Sequence, residues 1–398
     1  MVSLTSAAVV AVIALLAPLV VRLARLPVPE IVLEILLGAL VGPQLLGLVQ
    51  VDPAVQVLSV LGLGFLLLLA GMEIDYARLR GQLLRLTAAA YVVSFVLAVG
   101  IGLLLGVVGL VRSPLLIGVI LSATSLGIVL PVLKDAGQTE TQIGQVVVAG
   151  ASIAEVVPIV LLSLLFARDA SGLGARLTLL AAFVGFVMVV ALLILSAERS
   201  RRISAALLEL QDTTAEIRIR GALALLMVFA ALATAFGLEG ILGAFFAGAA
   251  LKLLDRDQAM THTRFHAKLQ AVGFGAFVPF FFVATGVSLD VRSLVGSPAT
   301  LAKVPIFLVA LLIARALPVL LYRPLVTGRG QLVGAGLLQA TSLSIPIVAG
   351  RIGVDLGVIL PDTYASLVAA GLLSVIVFPL LALPRLAASR PTATDPPT

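Results

Sequence analysis

The chain has 398 residues, of which 61% are hydrophobic and only 12% charged, about half the charged share of a soluble globular domain. So little charge cannot cover a water-facing surface, which leaves lipid as the solvent for much of the chain. Cysteine is absent and the two histidines, His262 and His266, lie in a polar stretch. This excludes a disulfide framework, a thiolate metal site and a cysteine nucleophile, and leaves little for a metal cluster.

A spanning helix needs roughly 20 mostly apolar residues. Runs of that kind divide the chain into about thirteen spans, the first six at 3–24, 29–48, 54–72, 84–109, 114–133 and 143–167. The remaining seven are 176–197, 217–236, 239–254, 268–289, 301–323, 331–350 and 361–384. The stretch Met1 to Arg25 has neither a basic leader region nor a small-residue cleavage site, so it reads as a retained first span. The charged loop 198–216 reads as an amphipathic surface helix, and the Pro- and Thr-rich stretch 389–398 as a disordered tail. The expected fold is an all-α polytopic membrane protein, a single transmembrane unit over 1–388 with no soluble regulatory domain.

Charge placement tests the span count. Nineteen of the 26 Lys and Arg fall in loops after odd-numbered spans, Arg22, Arg78, Arg201, Arg220 and Arg385 among them. Six fall on the other side: Arg112, Arg168, Arg176, Arg292, Lys303 and Arg351. The positive-inside rule then puts the N-terminus outside and the C-terminus in the cytoplasm. The net charge of +6 comes from these short loops, so no nucleic-acid partner is expected. The remaining cation, Arg315, lies near the centre of a span.

The segment Leu121-Ser-Ala-Thr-Ser-Leu-Gly-Ile128 recurs, 217 residues on, as Leu338-Gln-Ala-Thr-Ser-Leu-Ser-Ile345. Each copy is followed by a proline, Pro131 or Pro346, and by a cation, Lys134 or Arg351. The copies sit in spans five and twelve, which enter the membrane from opposite sides, so the repeat has inverted topology. Small polar triplets serve helix packing widely in membranes, but matched copies in opposite orientation point to a functional pair. Thr124 and Ser125, and Thr341 and Ser342, interrupt their spans at mid-depth, where unwound backbone is tolerated only beside a cavity or inside protein. Two such discontinuous helices, crossing, would bring half-helix ends and hydroxyls together to serve ions.

Glu155 lies mid-span in Ala151-Ser-Ile-Ala-Glu-Val-Val-Pro158. A carboxylate at that depth costs about 2.5–3.5 kcal/mol on insertion scales. Burial opposes its charge and a nearby cation favours it, a balance that suits a site where a proton and a metal cation compete for the same oxygens. Pro158 removes the amide hydrogen that would bond the Ala154 carbonyl, and Pro318 stands in the same relation to Ala314, beside Arg315. Ser152 lies one turn from Glu155 on the same face. A buried ion pair pinning two helices is the plainer role for Glu155 and Arg315. The acids Glu30, Glu34, Glu73 and Asp75 read as interfacial, and Asp290, Asp355 and Asp362 as loop residues.

The chain resembles the monovalent cation/proton antiporter superfamily, in particular its second branch of sodium/proton exchangers and potassium-efflux antiporters, over roughly residues 5–385. The resemblance rests on Val28-Pro-Glu-Ile-Val-Leu-Glu-Ile-Leu-Leu-Gly38 with Gly42-Pro43, Leu69-Ala-Gly-Met-Glu-Ile-Asp75, Leu242-Gly-Ala-Phe-Phe-Ala-Gly248 and Pro279-Phe-Phe-Phe-Val-Ala-Thr-Gly286. It implies thirteen helices and a homodimer. A transport bundle would comprise 84–167 and 301–385, a dimerisation bundle 3–72 and 217–289, and a linking helix 176–197, with elevator-like alternating access. It implies a secondary transporter, not an enzyme, with no cofactor and with Na+ or K+ and H+ as cargo, and the Ala-, Leu- and Val-rich composition with few lysines points to a bacterial inner membrane. The family's key carboxylate falls on Glu155, its membrane-centred basic residue on Arg315, and the polar crossing on Thr124 and Ser125. Many relatives carry a second polar or acidic residue where Ala154 stands. Arg315 therefore loses an expected partner, leaving Glu155 or carbonyls to pair with it. A single acid implies electroneutral exchange, because Arg does not release its proton at accessible pH. Two other functions compete: a sodium-coupled organic-solute carrier on the same architecture, and a non-transporting regulatory relative.

Overall fold

The computed structural model describes residues 4–25, 28–73, 81–139, 141–166, 172–198, 216–254, 261–326 and 328–387. The expected surface helix at 198–216 and the tail at 389–398 lie almost wholly outside the described residues, as do Arg78, Arg168 and Arg201. Every regular element among the described residues is helical. In chain order they are α1 (Thr5–Leu23), α2 (Glu30–Val41), α3 (Pro53–Glu73), α4 (Gly81–Val107), α5 (Pro114–Leu121), α6 (Leu126–Asp135), α7 (Gln142–Leu165) and α8 (Leu173–Glu198). There follow α9 (Ile217–Ala235), α10 (Gly240–Leu254), α11 (Thr261–Val272), α12 (Val278–Val287), α13 (Val291–Gly296), α14 (Pro298–Ala316), α15 (Arg329–Gln339), α16 (Ser344–Asp355) and α17 (Pro361–Ala387).

Ten helical stretches among the described residues are long and apolar enough to cross a membrane. They account for ten of the thirteen expected spans; of the other three, α2 and α10 are short helices of 12 and 15 residues, while α8, at 26 residues, is long enough to span. α2 has 12 residues, about 18 Å of helix against a hydrocarbon core of about 30 Å. Gly42-Pro43 stops it, and the Leu48 and Val49 amides fold back onto the Val41 carbonyl at 3.0 Å. The apolar stretch of α10 is Gly240–Lys252.

The chain divides into two compact units. The first comprises Met1–Leu26, Glu30–Ile74 and Ile159–Leu289. Its helices cross through glycines. A Cβ on Gly71 of α3 would lie 2.2 Å from the Phe245 carbonyl oxygen, and one on Gly248 of α10 would lie 1.9 Å from that of Leu68. Gly38 of α2 and Gly286 of α12 stand in the same reciprocal relation, through the Val283 and Ile35 carbonyl oxygens at 2.2 and 2.0 Å. No larger residue fits where backbones meet so closely. Gly71 and Gly286 also occupy matching places in Leu68-Leu-Ala-Gly-Met-Glu-Ile-Asp75 and Val283-Ala-Thr-Gly-Val-Ser-Leu-Asp290, 215 residues apart. The repeat therefore extends into this unit. Two acids expected at the interface are enclosed here instead: Glu34 is 5% exposed in the second turn of α2, and Oε2 of Glu73 is buried without a hydrogen-bond partner among the described residues.

The second unit comprises Pro27–Pro29, Asp75–Pro158 and Asp290–Thr398. α5 and α6 are two halves of one span broken at 122–125, and α15 and α16 are two halves of another broken at 340–343. These two are the most enclosed of the ten spans, with 72% and 94% of their most apolar stretch buried. Lipid is not their solvent, which is the condition for non-helical backbone at that depth. An apolar cluster including Val129, Leu133, Val146, Val147, Leu338, Phe378 and Leu386 surrounds them. Asp362 lies in the first turn of α17, not in a loop, and pairs with Lys303 at 2.8 Å. Asp355 closes α16 and pairs with Arg351 at 3.1 Å.

Candidate functional site

A helix that breaks inside a membrane exposes amides at one new end and carbonyls at the other, with no water to satisfy them. In the second unit the two breaks satisfy each other. The Ser125 amide donates to the Thr341 carbonyl at 3.0 Å. The Ser125 hydroxyl accepts the Leu343 and Ser344 amides at 2.9 and 3.1 Å. Ser125 is the N-cap residue of α6, yet its oxygen caps α16. The Thr124 hydroxyl donates to the Gln339 carbonyl at the end of α15.

The first amide of α6, that of Leu126, goes to Glu155, whose Oε2 accepts it at 3.0 Å. Glu155 is 5% exposed. A carboxylate at a helix N-terminus meets the positive end of the helix dipole. Pro158 explains how α7 comes close: the Ala154 carbonyl, freed from its own helix, accepts the Thr124 amide at 3.2 Å. Ala154 thus contributes through its backbone.

Arg315 is 4% exposed, and its hydrogen bonds go to neutral acceptors. Nε donates to Thr124 Oγ1 at 2.9 Å and to the Gln339 carbonyl at 3.3 Å. Nη1 donates to Ser94 Oγ at 3.0 Å, and Nη2 to Gln339 Oε1 at 2.5 Å. Its Cζ lies 5.8 Å from the centroid of the Tyr91 ring, within cation–π range. The guanidinium therefore sits at the C-terminal, negative end of α15. Of the two pairings open to Arg315, it makes the one with carbonyls and hydroxyls, and among the described residues no ion pair joins it to Glu155. Beyond Arg315, α14 tightens into a 3₁₀ turn at Leu317–Tyr322, where Pro318 withholds its amide.

The crossing thus gathers Thr124, Ser125, Glu155, Arg315, Thr341 and Ser342. Thr341 takes part through its carbonyl, and its hydroxyl returns to Leu337 at 3.3 Å. Ser342 is bonded through its amide to Ser374 Oγ at 3.1 Å. Ser152 is placed differently: its hydroxyl bonds the Val148 carbonyl of its own helix at 2.8 Å, a common fate for a mid-helix serine.

Gln339 is a participant whose role with Arg315 the sequence reading did not assign. Its side-chain oxygen holds Arg315, while its Nε2 donates to the Val147 carbonyl at 3.1 Å. Gly150 makes room for it, since a Cβ there would lie 2.2 Å from Gln339 Nε2. The repeat carried a signal. Gln339 matches Ser122, which bonds Tyr91 Oη at 3.1 Å, so this position anchors a neighbouring helix in both copies. Chemically, the crossing offers one carboxylate with hydroxyl and carbonyl oxygens around it, hard donors suited to alkali cations.

The sequence profile of the family described as sodium/hydrogen exchanger, transmembrane, matches residues 11–385. The chain is 30% identical over 396 residues to YjbQ, a candidate Na+/H+ antiporter of Bacillus subtilis strain 168, covering 95% of this chain and 62% of that one. It therefore spans less than two thirds of that relative's length. It is 24% identical over 365 residues to GerN, a Na+/H+-K+ antiporter of Bacillus cereus, covering 89% of each. In fold it is similar to the sodium proton antiporter MjNhaP1 of Methanocaldococcus jannaschii at pH 8, with a TM-score of 0.70 at 18% identity over 96% of this chain and 97% of that one.

Proposed function

Because the chain belongs to the transmembrane sodium/hydrogen exchanger family, we propose that it exchanges a monovalent cation, Na+ or K+, for protons, with Glu155 as the carboxylate that both occupy in turn. The observation that carries this is the Glu155 Oε2 bond to the Leu126 amide at 3.0 Å, inside the crossing of two broken helices. Thr124, Ser125 and the carbonyls of the breaks are the neighbouring hard ligands, and Ser152 stands one turn away.

The stoichiometry follows from charge. Arg315 stays protonated and is compensated by the α15 terminus, so Glu155 is the one proton carrier at the crossing among the described residues. One carrier that trades one proton for one cation moves no net charge. Alternating access follows if the second unit moves as a transport bundle against the first, in a homodimer of a bacterial inner membrane with the N-terminus outside and the C-terminus in the cytoplasm.

The test is flux in proteoliposomes carrying a pH-sensitive dye. Addition of Na+, K+ or Li+ is expected to move protons, at a rate unaffected by a membrane potential clamped with valinomycin. A rate that follows the clamped potential overturns the 1:1 exchange. Sodium-driven uptake of an organic solute without cation-dependent proton movement makes the protein a solute carrier, and silence in both assays makes it a regulatory relative.

A further inference from the structure

Ser342 is fully buried, and its hydroxyl oxygen has no hydrogen-bond partner among the described residues. Buried hydroxyls are nearly always paired, so an idle one calls for a reason. Its position is set from several sides. Ser125, which immediately precedes Leu126, donates its amide to the Thr341 carbonyl and accepts the Leu343 amide. The residues flanking Ser342 are thus both bonded to the N-cap of α6. The amide and carbonyl of Ser342 are themselves held by Ser374 Oγ, each at 3.1 Å.

The repeat supplies the missing duty. Ser342 matches Ser125, whose hydroxyl caps the other broken helix, α16. The equivalent task for Ser342 is to cap α6. The Leu126 amide that it would take is instead bonded to Glu155 Oε2 at 3.0 Å. One amide has two acceptors assigned to it, one engaged and one idle.

We infer that Ser342 is a reserve cap for α6, its hydroxyl taking the Leu126 amide when a bound cation draws the Glu155 carboxylate away. This rests on Glu155 as a cation ligand. Without a second acceptor, that departure leaves a buried amide unpaired. A serine hydroxyl can change partners by rotating about one bond, without moving the backbone. Ser342 therefore favours the cation-loaded state as a positioning residue.

The test uses purified, full-length Ser342→Ala protein and gives opposite signs in two measurements. Without Na+ or K+, deleting an idle buried hydroxyl leaves the melting midpoint at or above that of the wild type. With saturating Na+ or K+, the rise in midpoint is smaller than in the wild type. In proteoliposomes the KM for the cation rises about threefold to tenfold, a larger change than that in maximal rate. Ser342→Thr, which keeps the hydroxyl, restores the cation response. A lower midpoint in cation-free Ser342→Ala overturns the inference, as does a wild-type KM with a full cation shift. Glu155→Gln run alongside separates the claims. If it still exchanges, Glu155 is not the carrier and the inference falls with it; if it is silent while Ser342→Ala behaves as wild type, only the reserve cap falls. Should Ser342→Thr not fold, the alanine variant decides on the same readouts.

Discussion

Glu155→Gln protein, reconstituted into proteoliposomes, carries no cation-dependent proton flux above that of empty vesicles. The expected loss is at least about a hundredfold, or about 2.7 kcal/mol in barrier terms. Glutamine has nearly the shape of glutamate and keeps a side-chain oxygen that can accept the Leu126 amide, now held by Glu155 at 3.0 Å. The α6 terminus therefore stays capped, and the variant should fold with a loss of about 1 kcal/mol, the difference between a charged and a neutral acceptor. What glutamine lacks is a proton to give up and a charge to offer a cation. A folded variant that still exchanges places the carrier at another residue.

Arg315→Ala is expected to act on stability first. The guanidinium serves Thr124, Ser94 and both oxygens of Gln339, so its removal strands several acceptors in a site without water. Hydrogen bonds to a charged group contribute about 1.5–3 kcal/mol each, though not additively, and a buried acceptor left unpaired costs about 1–3 kcal/mol. We expect a loss in that range, read as a fall of several degrees in melting midpoint, together with reduced exchange as the α15 terminus loses its compensating charge. Arg315→Lys should recover only part of this. An ammonium is a point donor and cannot span Ser94, Thr124 and Gln339 as the planar fork does. Wild-type stability in Arg315→Ala would show that the network is not what holds the crossing together.

Much of this arrangement was legible in the sequence because membranes punish polarity. Glu155 and Arg315 stood out as charges in apolar spans, and the Thr-Ser pairs stood out because they recur 217 residues apart in opposite orientations. Pro158 identified the Ala154 carbonyl as free, and that carbonyl is where the Thr124 amide lands. Neutral polar residues outside the repeat carried no comparable signal. Ser94 and Tyr91 could each have faced anything, and only the fold aims them at Arg315. Ser152 has the right face and spacing toward Glu155, and its hydroxyl donates to the Val148 carbonyl of its own helix. The length of α2 was misjudged because apolar residues continue past Gly42-Pro43 while the helix does not. The glycines at the α3–α10 and α2–α12 crossings lay in stretches that looked familiar, but their reciprocal fit is a property of two helices and invisible in either alone.

The most direct measurement is proton release on cation binding, with no transport involved. Purified protein in weakly buffered detergent solution containing a pH dye is titrated with Na+ or K+ near neutral pH. If one carboxylate is shared, the solution acidifies with cation occupancy, by up to one proton per cation bound, and Glu155→Gln abolishes the signal. Saturable cation binding with no proton released, or release that persists in Glu155→Gln, would contradict it.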